Sequence, residues 1–247
     1  MKTRIFFTTN AGLYFSSGRS ELLIDGIHRA EAVGFSKMPG EMKRQMRTSR
    51  GLFVGSGTLL FTHLHKDHYD ATRVRLYLER HPETGLWGPE LKTRGITDYE
   101  EDGDTCRFNC GDFAVTAYST RHSGTEGEAC SHYSFLVRGR QTGETFFVSG
   151  DAVFDPELAE TVRADAGDAD GPAVFVTAYQ LIEKPSRAFL EALAPRKVYL
   201  IHQPAAGSEV SRSLTAITDY VRRYPPEGIR IEEPAPMHWI QSLSQKI

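Results

Sequence analysis

Nine residues, Thr62 to Asp70 (THLHKDHYD), gather three imidazoles and two carboxylates. His63, His65 and Asp67 alternate with Leu64 and Lys66, so on an extended backbone all three project to one side. His68 follows at once, and a turn there can aim it at the same place. Imidazole nitrogens and a carboxylate oxygen suit zinc, and also manganese or iron. Neighbouring residues cannot easily all reach one ion. Two ions about 3.5–4 Å apart solve that geometry, but they need ligands from elsewhere in the chain.

Three further residues supply candidates. His122 follows the run FAVTAYST, Asp151 follows TFFVSG, and His202 follows KVYLI. Each stands where an apolar strand ends, the position at which open sheets place their sites. Any one alone reads as a surface or internally satisfied residue; beside the close-set group, all three read as ligands. His28, His81, His132 and His238 read as ordinary histidines, with His28 placed by Asp25 to overhang the pocket. Gly124 and Gly127 predict a flexible loop at the pocket edge. Lys66, Arg121, Lys184 and Arg187 are the cations a phosphate clamp would use, although each reads first as a solvated charge.

The elements that must carry these residues follow from pattern. Short strands over 4–8, 13–16 and 21–25 form an antiparallel meander. Residues 26–56 change character, with a charged, weakly amphipathic helix over 39–50, and read as a lid-like excursion. The apolar run 58–61 is a strand covered on both faces, and a helix over 69–81 precedes Pro82. Strands follow over 113–119, 132–137 and 145–149. A short helix over 156–162 has Asp155 as its cap and Pro156 at its first turn. The stretch 164–172 is a surface connection. Then come a strand over 173–178, a helix over 185–193, a strand over 197–201, and a helix over 208–224 with Val210, Leu214, Ile217 and Val221 on one stripe. Strands first, then alternating strands and helices, predict an α/β arrangement of mixed sheets with helices outside.

At 247 residues, 40% hydrophobic and 25% charged, the chain is expected to fold as one domain over 1–247. The net charge of −3 disfavours a nucleic-acid footprint and favours a small-molecule substrate. No apolar run approaches the roughly 20 residues that cross a bilayer. The start, MKTRIFFTTNAGLYF, carries no export signal, so the expected location is the cytoplasm. A homo-oligomer is compatible with this composition. Cys106 and Cys110 fall in one predicted strand, about 13 Å apart and too far for a disulfide. With Cys130 they read as reduced thiols.

The residues His63, His65, Asp67 and His68 match the H-x-H-x-D-H signature in full. With Asp25 in LLIDG, His122, Gly150-Asp151 and His202 in order, the chain resembles the metallo-β-lactamase-fold hydrolase superfamily, from about residue 13 to 202. Its general look is most similar to the branch containing ascorbate-6-phosphate lactonase. The resemblance implies a four-layer αββα sandwich, two mixed sheets flanked by helices. It implies two divalent cations, zinc first, with manganese or iron as alternatives. One would sit on His63, His65 and His122, the other on Asp67, His68 and His202, with Asp151 bridging. Asp25 would hydrogen-bond behind the ligands and orient their loop. The implied chemistry is hydrolysis of a small ester, lactone or phosphodiester by a hydroxide shared between the cations, with Asp67 also orienting it or taking its proton. An iron oxidoreductase on the same scaffold is the alternative. Diiron flavoproteins of this fold usually carry Glu where His65 stands, whereas mononuclear iron dioxygenases keep the histidines. A non-catalytic relative tends to lose ligands, and none is missing here.

Overall fold

The structure is a computed structural model, and it describes residues 2–52, 57–124, 130–167, 170–202, 204–205, 207, 209–226 and 228–240. In chain order the elements are β1 (Arg4–Phe7), β2 (Leu13–Ser17), β3 (Ser20–Ile24), α1 (Gly40–Thr48), β4 (Thr58–Leu60), α2 (Ala71–Arg80), β5 (Gly85–Trp87), β6 (Thr97–Asp102), β7 (Thr105–Cys110), β8 (Phe113–Thr120), β9 (His132–Gly139), β10 (Thr145–Val148), α3 (Pro156–Ala166), β11 (Ala173–Val176), α4 (Ser186–Leu193), β12 (Lys197–Leu200), α5 (Glu209–Arg223), β13 (Ile231–Glu232) and β14 (His238–Ile240). Tight 3₁₀ turns cover Ala30–Val33 and Tyr179–Ile182.

Six strands pair in the order β14-β1-β2-β3-β4-β5 and eight in the order β13-β12-β11-β10-β9-β8-β7-β6. Both sheets are mixed: β3, β4 and β5 run parallel, as do β10 to β13, and the remaining pairs are antiparallel. Side chains alternate across a strand, so each sheet has two faces to cover. Phe7, Phe15 and Leu60 from one sheet meet Phe113, Phe146 and Phe175 from the other in the central core. The outer face of the eight-stranded sheet packs Phe147, Val174 and Leu200 against Ala159, Phe189 and Val221 of α3, α4 and α5. The outer face of the six-stranded sheet packs Phe6, Leu23 and Leu59 against Met42 and Val74 of α1 and α2. These are the four layers of an αββα sandwich.

Strand direction places the site. β1 and β3 flank β2 and both pair antiparallel with it, so they run the same way, and β4 runs parallel to β3. In the other sheet β8, β10, β11 and β12 share one direction, because β8 and β10 both pair antiparallel with β9. Their C-terminal ends therefore lie on one edge of each sheet. β9 runs against its neighbours, so it is its start, His132, that lies on this edge.

Besides the short strands β13 and β14, for which the sequence pattern gave no element, three features differ from it. The charged helix over 39–50 is α1, and it is more one-sided than its composition suggests. Met42 and Met46, one turn apart, are buried with Met38, while the charges face outward. The expected lid-like excursion is thus in large part the outer layer over the first sheet; its residues 53–56 lie outside the described residues. β6 (TDYEED) is exposed along its whole length and has no apolar alternation to announce it. Pairing with β7 makes it a strand, and its carboxylates guard the sheet edge against further pairing. β5 is too short to leave a period of its own. Cys106 and Cys110 lie on β7, buried and not joined by a disulfide.

Candidate metal centre

The site is assembled from strand ends that turn sharply. Asp25 follows β3 at φ 49° and His202 follows β12 at φ 62°. A left-handed backbone at a non-glycine residue is unfavourable and persists where the surroundings over-determine it. Here the surroundings are each other. The Asn10 side-chain amide donates to the Asp67 carbonyl at 2.7 Å, and the His202 N–H donates to the Asn10 carbonyl at 2.6 Å. The β1–β2 turn thus ties the His63–His68 loop to the end of β12.

Asp25 is fully buried and sets the imidazoles. Its Oδ1 accepts the Thr62 N–H at 2.8 Å, and its Oδ2 accepts the Thr62 hydroxyl at 2.6 Å and His68 Nδ1 at 2.8 Å. With its proton committed to Asp25, Thr62 Oγ1 becomes an acceptor for His63 Nδ1 at 3.1 Å. Both rings therefore carry hydrogen on Nδ1 and turn Nε2 toward the centre of the site.

The seven residues expected as ligands lie in two groups. His63, His65 and His122 form one; Asp67, His68, Asp151 and His202 form the other. Within each, the ligand-type atoms lie within 4.8 Å of one another. Asp151 Oδ2 stands between the groups, 4.0 Å from His63 Nε2, 3.7 Å from His122 Nε2, 3.4 Å from His68 Nε2 and 3.7 Å from His202 Nε2. His202 Nε2 is 3.0 Å from His68 Nε2 and 3.3 Å from Asp67 Oδ2. Phe35, from the 26–56 segment, packs edge-on against the His202 ring at 4.1 Å between centroids.

Burial and charge oppose each other across the cluster. Burial lowers the pKa of His63 and of His122, leaving both neutral with free lone pairs near pH 7. Burial also disfavours a charged His68, but Asp151 and Asp25 outweigh it and hold that imidazole well above its ordinary value. Burial raises Asp67, yet the hydrogen bond from His202 and the nearby imidazoles bring its carboxyl down to about 2. The same balance keeps Asp151 well below the usual carboxylate range.

Neither a protein-family model nor a curated protein matches the chain by sequence. Solved structures match it by shape. CmlA, a diiron beta-hydroxylase from Streptomyces venezuelae, aligns at TM-score 0.63 and 17% identity over 97% of this chain and 54% of its own. The chain thus spans about half of that protein. An isothiocyanate hydrolase from Delia radicum gut bacteria aligns at 0.56 and 14% identity over 96% of this chain and 98% of its own. A possible metal-dependent hydrolase from Veillonella parvula aligns at 0.57 and 15% identity over 97% and 99%. The chain has the metallo-β-lactamase fold.

Within the metallo-β-lactamase fold of this chain, several buried atoms lack a hydrogen-bond partner among the described residues: His63 Nε2, His122 Nε2, Asp151 Oδ1 and His202 Nδ1. Orphaned buried polar atoms are unfavourable and rare in isolation. Three of them, His63 Nε2, His122 Nε2 and Asp151 Oδ1, are imidazole and carboxylate donors of the kind that divalent cations satisfy. The residues present therefore fit such a group. Any second proton on His68 sits where a cation would replace it.

Sequence reasoning missed three contributors, Asn10, Thr62 and His132. His132, read above as an ordinary histidine, is buried at the foot of the site. Its Nε2 accepts the Asp151 N–H at 3.0 Å and its Nδ1 pairs with Thr120 Oγ1 at 2.6 Å. The available signal was topological: only a strand running against its neighbours brings its first residue to this edge. His132 also explains the glycine before Asp151. Gly150 has φ 57°, and a Cβ there would lie 2.7 Å from His132 Nε2 and 2.9 Å from Thr62. Replacing His132 by Phe should strand the Asp151 N–H at a cost of about 1–3 kcal/mol. His132→Gln, which offers an acceptor again, should recover most of it; denaturant titration of both variants measures the difference.

The other flagged residues stand apart. His28 is buried, accepts the Ala30 N–H at 3.2 Å and belongs to neither group. His81 packs on Tyr77, and His238 is exposed. Lys66, Arg121, Lys184 and Arg187 are all exposed, and Arg187 pairs with Glu191 at 2.8 Å. Gly124 has φ 139° and Gly127 lies outside the described residues. No helix among the described residues is long and apolar enough to cross a membrane.

Proposed function

We propose that this chain is a metal-dependent hydrolase of a small ester, lactone or phosphodiester. His63, His65 and His122 would hold one divalent cation, Asp67, His68 and His202 a second, and Asp151 both. The observation that carries this reading is the position of Asp151 Oδ2, within 4.0 Å of four imidazole nitrogens from both groups. Divalent cations held there supply Lewis acidity and acidify solvent, which is what hydrolysis at neutral pH requires.

The chain's own residues do the rest. Asp25 fixes the tautomers of His63 and His68 and so aims their lone pairs. Asp67 stays ionised at neutral pH, and its carboxylate would orient the attacking solvent or accept its proton. His132 and Thr120 hold the Asp151 backbone. Tyr179, whose hydroxyl is 3.3 Å from Ser123 Oγ, has its pKa raised first by burial and then by Asp151, so it remains a protonated donor beside the cluster. Lys66, Arg121 and Lys184 are exposed, as solvated surface charges are.

The test is metal analysis of purified protein followed by an esterase, lactonase and phosphodiesterase screen. About two equivalents of zinc or manganese are expected. Turnover should be abolished by chelation and restored by metal, and it should be absent in His65→Ala. Turnover that survives both chelation and His65→Ala would overturn the proposal. Because a diiron beta-hydroxylase has the same fold, iron as the bound metal, with oxygen-dependent turnover and no hydrolysis, would establish the oxidoreductase reading instead.

A further inference from the structure

Outside the metal centre, α1 and α2 enclose a cleft of about 240 Å³. Its floor and walls are Met38, Met46, Leu76 and Tyr77, and its rim is Lys43, Arg47, Arg73 and Arg80. The two helices carry six Lys or Arg against two Glu, in a chain whose net charge is −3. These two helices therefore carry a local excess of positive charge. Arg47 and Arg80 lie in the last turns of their helices, where the macrodipole favours cations. That accounts for each one's presence but not for their convergence, with Lys43 and Arg73, on a single apolar cleft.

The four cations differ in how they are compensated. Arg73 is anchored, pairing with Glu31 at 2.9 Å and donating to the His28 carbonyl. Lys43 faces Glu31 as well. Arg47 and Arg80 have no carboxylate partner among the described residues. Leu76, a large apolar side chain at the cleft, is 39% exposed.

We propose that this cleft binds a small organic anion with an apolar body, a carboxylate or sulfonate carried on an alkyl or aryl group. The uncompensated guanidiniums of Arg47 and Arg80 would take the anionic head, and Met38, Met46, Leu76 and Tyr77 the body. Charge complementarity selects the anion. The apolar floor and the small enclosed volume select a compact amphiphile over a phosphate-backbone polymer, which would leave the floor unused.

Anilinonaphthalene sulfonate is a suitable probe, because its uncharged parent, phenylnaphthylamine, differs only in lacking the sulfonate. The sulfonate should bind the full-length protein with one-to-one stoichiometry, and decanoate should displace it while inorganic phosphate does not. Arg47→Glu/Arg80→Glu should weaken it by about tenfold or more, the loss of one or two charge-assisted contacts. Phenylnaphthylamine should bind at least about tenfold more weakly than the sulfonate, and the charge reversal should not affect it. Should the double variant fold poorly, Arg47→Gln and Arg80→Gln taken singly should each weaken the sulfonate without lowering the melting temperature. Equal affinity in the folded variants, displacement by phosphate, or binding only to phosphatidylserine vesicles with no displacement by decanoate would overturn the proposal. None of these readouts involves the metal centre, so they stand or fall apart from the proposed hydrolase activity.

Discussion

Asp151→Asn is expected to release metal from both ligand groups at once. The residue is buried, and its Oδ2 lies within 4.0 Å of imidazole Nε2 atoms from both groups. Loss of a residue that merely orients a ligand typically costs 10–100-fold in metal affinity or activity, so loss of a shared ligand should cost more than about 10²-fold. Isothermal titration with zinc should show both binding events weakened, whereas His65→Ala should weaken mainly the one that uses His63, His65 and His122. Two unaltered binding events in Asp151→Asn would remove Asp151 from the centre.

The variant should also change acid stability in the absence of metal. Asp67 and Asp151 are both held below the ordinary carboxylate range, Asp67 at about 2. A carboxylate depressed in the folded state stabilises it above its unfolded pKa of about 4 and loses that contribution as pH falls. Metal-free protein should therefore lose stability between about pH 4 and pH 2, and Asp151→Asn should flatten that limb. Denaturant midpoints measured across this range read the difference directly.

Asp25→Asn should be the second large effect, though Asp25 belongs to neither ligand group. In the wild-type arrangement the Asp25 carboxylate only accepts: from the Thr62 N–H, the Thr62 hydroxyl and His68 Nδ1. An asparagine whose carbonyl keeps the Thr62 N–H must present its NH2 to Thr62 Oγ1 and His68 Nδ1. His68 would then have to accept at Nδ1 and carry its proton on Nε2, where it blocks the lone pair a cation needs. Metal affinity should fall about 10–100-fold with the fold retained. Asp25→Ala should go further, since it leaves buried donors with no acceptor, a loss of about 3–5 kcal/mol. Comparing metal titration with thermal unfolding for the two variants separates the tautomer effect from the structural one. Equal metal affinity in Asp25→Asn and wild type would show that the hydrogen-bond polarity behind His68 is immaterial.

By itself, the sequence carried what depends on near neighbours. The alternation of His63, His65 and Asp67, the apolar runs ending at His122, Asp151 and His202, and the cap-and-proline start of α3 are all written in consecutive residues. Strand and helix periods are local too, so most elements and their order were legible, including α5 with its stripe of spaced apolar residues. What was not legible depends on contacts between distant segments. β6 has no pattern of its own and is a strand only because β7 pairs with it. The inward face of α1 rests on Met42 and Met46 alone, too few to stand out among its charges. His132 looked like any histidine at a strand start, because which edge a strand begins on is set by the direction of its neighbours and not by its residues. The tautomers of His63 and His68 were likewise decided in three dimensions: one carboxylate, Asp25, at the end of another strand accepts from a hydroxyl and a ring in its reach. Residue types and spacing set which chemistry was possible; sheet direction and buried hydrogen-bond polarity decided where it converges, because both arise only when segments far apart in the chain are packed together.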